Sequence, residues 1–256
     1  MRYSLLAGGK RIRPVLCLAT ARALGRDAES VLPTAAALEL IHTYSLIHDD
    51  LPAMDDDDMR RGRPTSHMAY GEDVAILAGD ALFAEAIRLI SERQGGAPER
   101  TLAAVCEVAA ATGVDGMVGG QYVDIVGGGT DHESLRLLHS LKTGRLISAS
   151  VCSALVLAGV DEAVEAPYRR FATELGLLFQ IVDDILDVTG SDEELGKPSG
   201  SDERHGKVTY VSLHGLERAR TLAEEARLRA LEALGEADGD VGALTTITEF
   251  IHARTN

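Results

Sequence analysis

Residues 33–58 read PTAAALELIHTYSLIHDDLPAMDDDD, and the fold follows from the way this stretch changes character half-way along. Over residues 33–50, Leu38, Ile41, Ser45 and His48 form one stripe at helical spacing, and Leu40, Tyr44 and Ile47 lie beside it. Apolar side chains on most of the circumference mark a helix surrounded by other helices. Six aspartates then fall within ten residues, 49–58, and Arg60 and Arg61 follow at once. Pro52 bars an uninterrupted helix between the first pair and the rest, so the chain must deform there and can turn both groups toward a common centre.

The same pattern recurs at residues 177–187, LLFQIVDDILD. Asp183 and Asp187 are one helical turn apart on one face, with Asp184 beside them. Like charges at this spacing repel, and apolar neighbours worsen the repulsion, so a cation is expected among them. Oxygen-only donors suit a hard divalent ion, and Mg²⁺ in particular shares its shell among carboxylates, water and phosphate oxygens. A solvated acidic helix end would explain one such cluster. It poorly explains two, each closing a buried helix, and the pair points to a two-sided cage for several Mg²⁺ ions.

The rest of the chain fits this frame. Ala, Leu, Glu and Arg dominate the 256 residues, Trp is absent, and strand-like alternation is hard to find. The reading is all-α, with helices over 14–23, 33–50, 73–93, 99–112, 114–125, 132–158, 163–188, 216–234 and 246–254 in one domain. Residues 190–206 read as an exposed polar loop. No repeat is visible, which argues against a solenoid. With 45% hydrophobic and 25% charged residues the chain is not a disordered one. Its longest apolar stretch, near 147–159, falls short of the ~18 to 20 residues of a membrane span. Cys17, Cys106 and Cys152 are too few and too scattered for a disulfide framework, and the start lacks a signal peptide's pattern, so a cytoplasmic location is expected.

A net charge of −15 argues against a nucleic-acid partner. Nine of the acidic residues sit in the two clusters, so most of this charge is local. Cations fitted to phosphate stand at Lys10, Arg11 and Arg13, at Arg60 and Arg61, at Lys142 and Arg145, and at Lys197 and Lys207. Any one group also reads as solvated surface. Beside aspartate clusters and glycine turns, together they point to a Mg²⁺-dependent enzyme acting on diphosphates that carry an apolar tail.

At this point the sequence resembles the trans-isoprenyl diphosphate synthases, the polyprenyl synthetase family. The resemblance rests on an ordered set: Gly8-Gly9-Lys10-Arg11-Ile12-Arg13-Pro14, the stretch 49–62, Gly79-Asp80, Gly120-Gln121, Lys142-Thr143-Gly144, the stretch 179–187, and Gly196-Lys197 with Gly206-Lys207. It implies the isoprenoid synthase helical bundle around a central cavity, as one domain over 1–256 lacking the N-terminal helix or helices usual in the family. It also implies that Asp49, Asp50, Asp55, Asp183, Asp184 and Asp187 hold Mg²⁺, three ions per site. Arg60, Lys142, Lys197 and Lys207 would grip the allylic diphosphate, with Thr143 and Gln180 nearby, and Lys10, Arg13, His42 and Arg61 would bind isopentenyl diphosphate.

The implied reaction is a head-to-tail condensation by a homodimer, with Thr143 and Gln180 offering oxygen dipoles to an allylic carbocation. Tyr44 lies five residues before Asp49, so its ring is expected just over a turn deeper in the tunnel. With the two extra residues of the first aspartate motif, this resembles the bacterial farnesyl diphosphate synthases, where an aromatic ring limits chain length. The alternatives are a geranylgeranyl diphosphate synthase of the same fold, a metal-dependent phosphohydrolase, and a non-catalytic binding subunit.

Overall fold

The computed structural model describes residues 1–128, 131–190 and 207–255. Pro14 stands in the first turn of α2 (Ile12–Ala23), which follows the short α1 (Arg2–Leu5). A proline there loses no helix hydrogen bond, because the first amides have no intrahelical partner. The next helix, α3 (Leu32–Asp49), carries Pro33 at its start and ends within the first aspartate pair. A two-residue antiparallel hairpin, β1 (Met59–Arg60) and β2 (Arg63–Pro64), pairs Met59 with Pro64 and Arg60 with Arg63. The chain continues through α4 (Ser66–Tyr70), α5 (Glu72–Arg93) along α3, α6 (Pro98–Thr112) and α7 (Met117–Ile125). Then come α8 (His132–His139), α9 (Arg145–Ala158), the long α10 (Glu162–Thr189), α11 (Tyr210–His214), α12 (Leu216–Gly235) and α13 (Gly242–His252).

Two apolar cores flank α2 and α9. On α9, Ile147, Val151 and Leu155 face the core shared with α10, α12 and α13, whereas Leu146, Ala149 and Ala154 face the core shared with α3, α5 and α6. Successive helix residues point about 100° apart, so one helix can serve two cores only if it is apolar nearly all round. That requirement also bears on the membrane question. Helical runs Pro98–Ile125 and His132–Ala158 are long and apolar enough to span a bilayer by length and composition, contrary to the expectation that no segment reached that length. In the second run, Leu146, Ile147, Val151, Ala154 and Leu155 are all buried inside the bundle.

The expected helix over 132–158 is interrupted by a π turn, Ser140–Gly144, which joins α8 to α9. Its wider winding inserts an extra residue, a device that redirects side chains at functional sites. Here the turn carries Lys142 and Thr143. It is clamped from both sides: a Cβ on Gly120 of α7 would lie 2.3 Å from the Lys142 nitrogen, and one on Gly176 of α10 would lie 3.0 Å from the Gly144 Cα. Only glycine allows the first approach, and at the second a Cβ would force the backbones a few tenths of an ångström apart.

Other departures are short elements held by distant partners. Outside the predicted helices, α1, the hairpin, α4 and α11 have too few residues for a periodic signal. Tyr3 of α1 donates to the Pro64 carbonyl at 2.8 Å, and the Tyr210 amide of α11 donates to Asp184 Oδ2 at 2.8 Å. Most of the expected loop at 190–206 lies outside the described residues. The start of α7 falls at Met117 rather than 114, and that of α13 at Gly242 rather than 246.

Candidate active site

Two cavities open between α3, α7, the π turn and α10. The larger, of about 640 Å³, is lined by Tyr44, Met117, Val118, Tyr122, Ile125 and Phe179 on its apolar side. The smaller, of about 340 Å³, is bordered by Asp49, Asp55, Asp57, Asp183, Asp184 and Asp187. Asp49, Arg60, Lys142, Asp183 and Arg254 line both, so they form the neck between a polar mouth and an apolar chamber. The helix end at Asp49 and the uninterrupted α10 bring the two aspartate motifs to one place.

The carboxylates are of two kinds. Of the expected metal ligands, Asp49, Asp55, Asp183, Asp184 and Asp187 border the polar cavity and Asp50 does not, and Asp184 differs from the other four in being tied to neighbouring groups. Burial raises the Asp49 carboxyl to about 6, with Asp55 adding to the rise and Lys142, Arg60 and Lys207 opposing it. Burial likewise raises Asp183 against the pull of Arg254 and Lys10. Two of the expected metal ligands are committed elsewhere. Asp50 borders neither cavity, and its Oδ1 accepts from Arg60 Nε at 2.5 Å. Asp184 is 1% exposed, and its oxygens accept from Gln180 Nε2 at 2.7 Å and from the Tyr210 amide at 2.8 Å. The cause is that α3 ends at Asp49 and turns its next side chain away, while α10 continues and points Asp184 at α11.

The cations fall into two groups as well. Lys142 reaches Asp124 Oδ2 at 2.6 Å, and Lys207 bridges Asp55 Oδ1 at 2.9 Å and Asp124 Oδ2 at 3.2 Å. Burial alone would raise Asp124, but the two lysines outweigh it and lower its pKa. Arg60 lies between Asp50 and Asp57, at 2.5 and 3.2 Å, and so reaches the neck with its charge already shared. Lys10, Arg13, His42 and Arg61, the four residues expected at the isopentenyl diphosphate, all line the larger cavity. Burial, then the charges of Arg13, Arg61, Arg60 and Arg11, hold His42 well below 6.5, so it meets a ligand as a neutral hydrogen-bonding ring. Burial lowers Arg13 to about 10, which still leaves it charged at neutral pH. Lys197 lies outside the described residues.

The chemistry of this donor set fits Mg²⁺ and a diphosphate. Among the described residues no three carboxylate, imidazole or thiol groups converge closely enough to hold an ion unaided. A cage complete in itself is therefore not formed, and the arrangement suits an ion that finishes its shell with water and phosphate oxygens. Arg13 Nε and Arg254 Nη1 are buried without a hydrogen-bond partner among the described residues. Both residues border the larger cavity, and a bound oxyanion would satisfy them.

A profile described as polyprenyl synthetase matches residues 1–252. The chain belongs to the polyprenyl synthetase family. It is 48% identical over 265 residues to a chloroplastic geranylgeranyl pyrophosphate synthase of Arabidopsis thaliana, covering 100% of this chain and 74% of that protein. A geranylgeranyl diphosphate synthase of Cyanophora paradoxa is 46% identical over 260 residues, covering 100% of this chain and 87% of that protein. Among solved structures, the Helicobacter pylori geranyltransferase complexed with magnesium and isoprenyl diphosphate superposes with a TM-score of 0.87 at 36% identity. The match covers 98% of this chain and 84% of that one. A Zymomonas mobilis FPP/GFPP synthase gives the same TM-score, 0.87, at 36% identity, over 98% of this chain and 86% of that one. This polyprenyl synthetase is thus a trans-prenyltransferase of all-α fold, and Mg²⁺ dependence fits its family.

Three residues of the site escape a reading of the sequence. Asp124 holds both lysines, yet it stands alone near the end of α7, four residues past Gly120. Arg254 Nη2 lies 3.3 Å from Asp183 Oδ1, and its guanidinium carbon sits 5.9 Å from the centre of the Phe179 ring. Nothing local distinguishes it from other arginines at a chain end. Gln121 stands in the Gly120-Gln121 pair without an assigned role. It lines the larger cavity with both amide atoms buried and unpartnered among the described residues, whereas Gln180, expected to face the reacting carbon, spends its amide on Asp184.

Proposed function

We propose that this prenyltransferase joins isopentenyl diphosphate head to tail to dimethylallyl or geranyl diphosphate and stops at farnesyl diphosphate. The observation that carries the reading is the polar mouth, bordered by both aspartate motifs, opening onto an apolar chamber that Tyr44 borders. Lys142, Lys207 and Arg60 grip the allylic diphosphate, together with Lys197, whose part rests on the family resemblance alone. Asp49 and Asp55 of the first motif and Asp183 and Asp187 of the second would hold Mg²⁺, taken as three ions, which when bound would supply Lewis-acid neutralisation of the departing diphosphate. Lys10, Arg13, neutral His42 and Arg61 hold isopentenyl diphosphate, and Arg254 adds a further cation to them.

The carbon–oxygen bond of the allylic substrate breaks, and its electrons leave with the diphosphate. The delocalised cation left behind sits where Thr143 and Gln121 present oxygen dipoles and where apolar walls keep water out. The isopentenyl double bond attacks the cation, forming the new carbon–carbon bond. The proton lost from the adjacent carbon goes to the released diphosphate. No side-chain nucleophile is required.

The exposed apolar residues Val74 and Leu77 of α5 and Leu102 of α6 support a homodimer that covers them. Three free cysteines support a reducing compartment, here read as the cytoplasm. A second reading, a geranylgeranyl diphosphate synthase, is favoured by what the relatives at 46–48% identity are named. The aromatic ring at position 44 favours the shorter product.

Incubation with Mg²⁺, isopentenyl diphosphate and geranyl diphosphate, followed by chromatography of the dephosphorylated product, tests the reading. A fifteen-carbon alcohol is expected, and a twenty-carbon end product would replace the farnesyl reading with the second one. Inorganic phosphate without a new carbon–carbon bond would point to a hydrolase, and binding without turnover to a non-catalytic subunit.

A further inference from the structure

The Gly79-Asp80 pair on α5 has no assigned role in the proposed reaction, yet it lies against the helix that carries the first aspartate motif. A Cβ on Gly79 would stand 2.1 Å from His48 Nε2, so the imidazole occupies the space that any other residue would fill. That same nitrogen lies 3.1 Å from the Ile76 carbonyl and 4.0 Å from Asp80 Oδ1. Ile76, Gly79 and Asp80 thus form a notch on α5 in which His48 is seated. One turn further along the same face stands Phe83.

Tyr44 is one turn before His48 on α3, and both rings meet the notch. The Tyr44 ring packs edge-on against His48, with centroids 5.7 Å apart at 77°, and edge-on against Phe83, at 5.5 Å and 72°. Edge-to-face contacts at these separations hold a ring in one orientation. Tyr44 lines the larger cavity and Phe83 does not. The ring at the cavity wall therefore has a second ring from another helix behind it.

We propose that α5 sets the product length of this enzyme: the Gly79 notch fixes His48, and Phe83 backs the Tyr44 ring, so that the chamber ends at an aromatic pair. This rests on the reading of Tyr44 as the limit to chain growth. Phe83 is a positioning residue while Tyr44 is present, and becomes the next wall once Tyr44 is removed. Its neighbour Leu82 is 1% exposed and belongs to the core, whereas Phe83 is 38% exposed. Truncating Phe83 therefore loosens the cavity wall without emptying the core.

The test compares Phe83→Ala and the milder Phe83→Leu with the wild type, and Tyr44→Ala/Phe83→Ala with Tyr44→Ala. Each is given Mg²⁺, isopentenyl diphosphate and geranyl or farnesyl diphosphate, and the products are sized. Phe83→Ala is expected to raise the share of product one isoprene unit longer than the wild-type end product by about tenfold, a discrimination typical of small changes in an apolar pocket. KM for isopentenyl diphosphate stays unchanged, and the double variant extends beyond Tyr44→Ala alone. Sedimentation and thermal melting establish that the oligomer and fold are retained.

A second readout needs no turnover. By calorimetry, Phe83→Ala gains affinity for geranylgeranyl over farnesyl diphosphate by a similar factor. A wild-type protein that forms no carbon–carbon bond would overturn the proposed reaction but leave this binding shift to decide the role of α5. Wild-type product lengths in both Phe83 variants, with unchanged tail-length preference in binding, would overturn the inference.

Discussion

The two aspartate motifs look alike as letters and behave differently as structure. In the first, α3 stops at Asp49, and the next carboxylate, Asp50, turns away to Arg60. In the second, α10 runs on to Thr189, so Asp183 and Asp187 share a face toward the mouth while Asp184 is tied to Gln180 and the Tyr210 amide. Each motif leaves some carboxylates facing the polar cavity and ties another to neighbouring groups. One does so by ending a helix and the other by continuing it. A cluster of acidic letters is therefore not yet a site, because backbone direction decides which oxygens reach the ligand.

The largest effects should fall on the carboxylates facing the mouth. Asp49→Ala and Asp183→Ala are each expected to lower kcat by about a thousandfold, the scale of losing a group that stabilises developing charge. Steady-state kinetics at saturating Mg²⁺ measures this. If either variant kept near wild-type turnover, the division of roles would be broken on that side.

A smaller but still large effect is expected from the structural pair, and it should appear as stability. Asp50→Ala takes the closest partner from Arg60, which keeps Asp57 at 3.2 Å, and should cost about 1 kcal/mol, the scale of one lost hydrogen bond. Asp184→Ala leaves a backbone amide and a glutamine amide without their acceptor, at about 1 to 3 kcal/mol for each buried group. Urea unfolding of Mg²⁺-free protein gives both values. Unchanged midpoints would mean that these two carboxylates do not hold the fold.

The smallest effect sharpens the contrast through pH. The Asp49 carboxyl titrates near 3.8 when unfolded and near 6 when folded. The folded state therefore holds its proton more tightly, and stability is lost as pH rises through that window. Asp49→Asn stays neutral throughout. It should melt at a higher temperature than the Mg²⁺-free wild type above pH 6, and the gap should close as pH falls toward 4. A gap that widened at low pH would reverse the sign of the argument.

How much was legible follows from what each residue depends on. Helices α3 and α10 could be read because each repeats an apolar pattern over several turns. The aspartates could be read because a cluster of charge at the end of such a helix has few bland explanations. Tyr44 could be placed because a helix fixes the offset between a residue and its neighbour one turn on. Arg254, Asp124 and Gln121 could not be assigned a role, since each becomes functional only through partners far away in the chain. The π turn was hidden for a related reason, because its winding depends on glycines in α7 and α10 that let two backbones close on it.

The sequence by itself determined the all-α class, the two aspartate motifs, a set of cations of the kind that suits phosphate and an aromatic residue one turn before the first motif. These are properties of local periodicity and composition, and they survive any rearrangement of the helices that keeps each one intact. Only the tertiary structure decided which carboxylates face the ligand, that Asp124 gathers two lysines, that Gln180 serves Asp184, and that Phe83 stands behind Tyr44. Those outcomes depend on where each helix ends and on how closely its neighbour approaches, which packing sets between residues far apart in the chain.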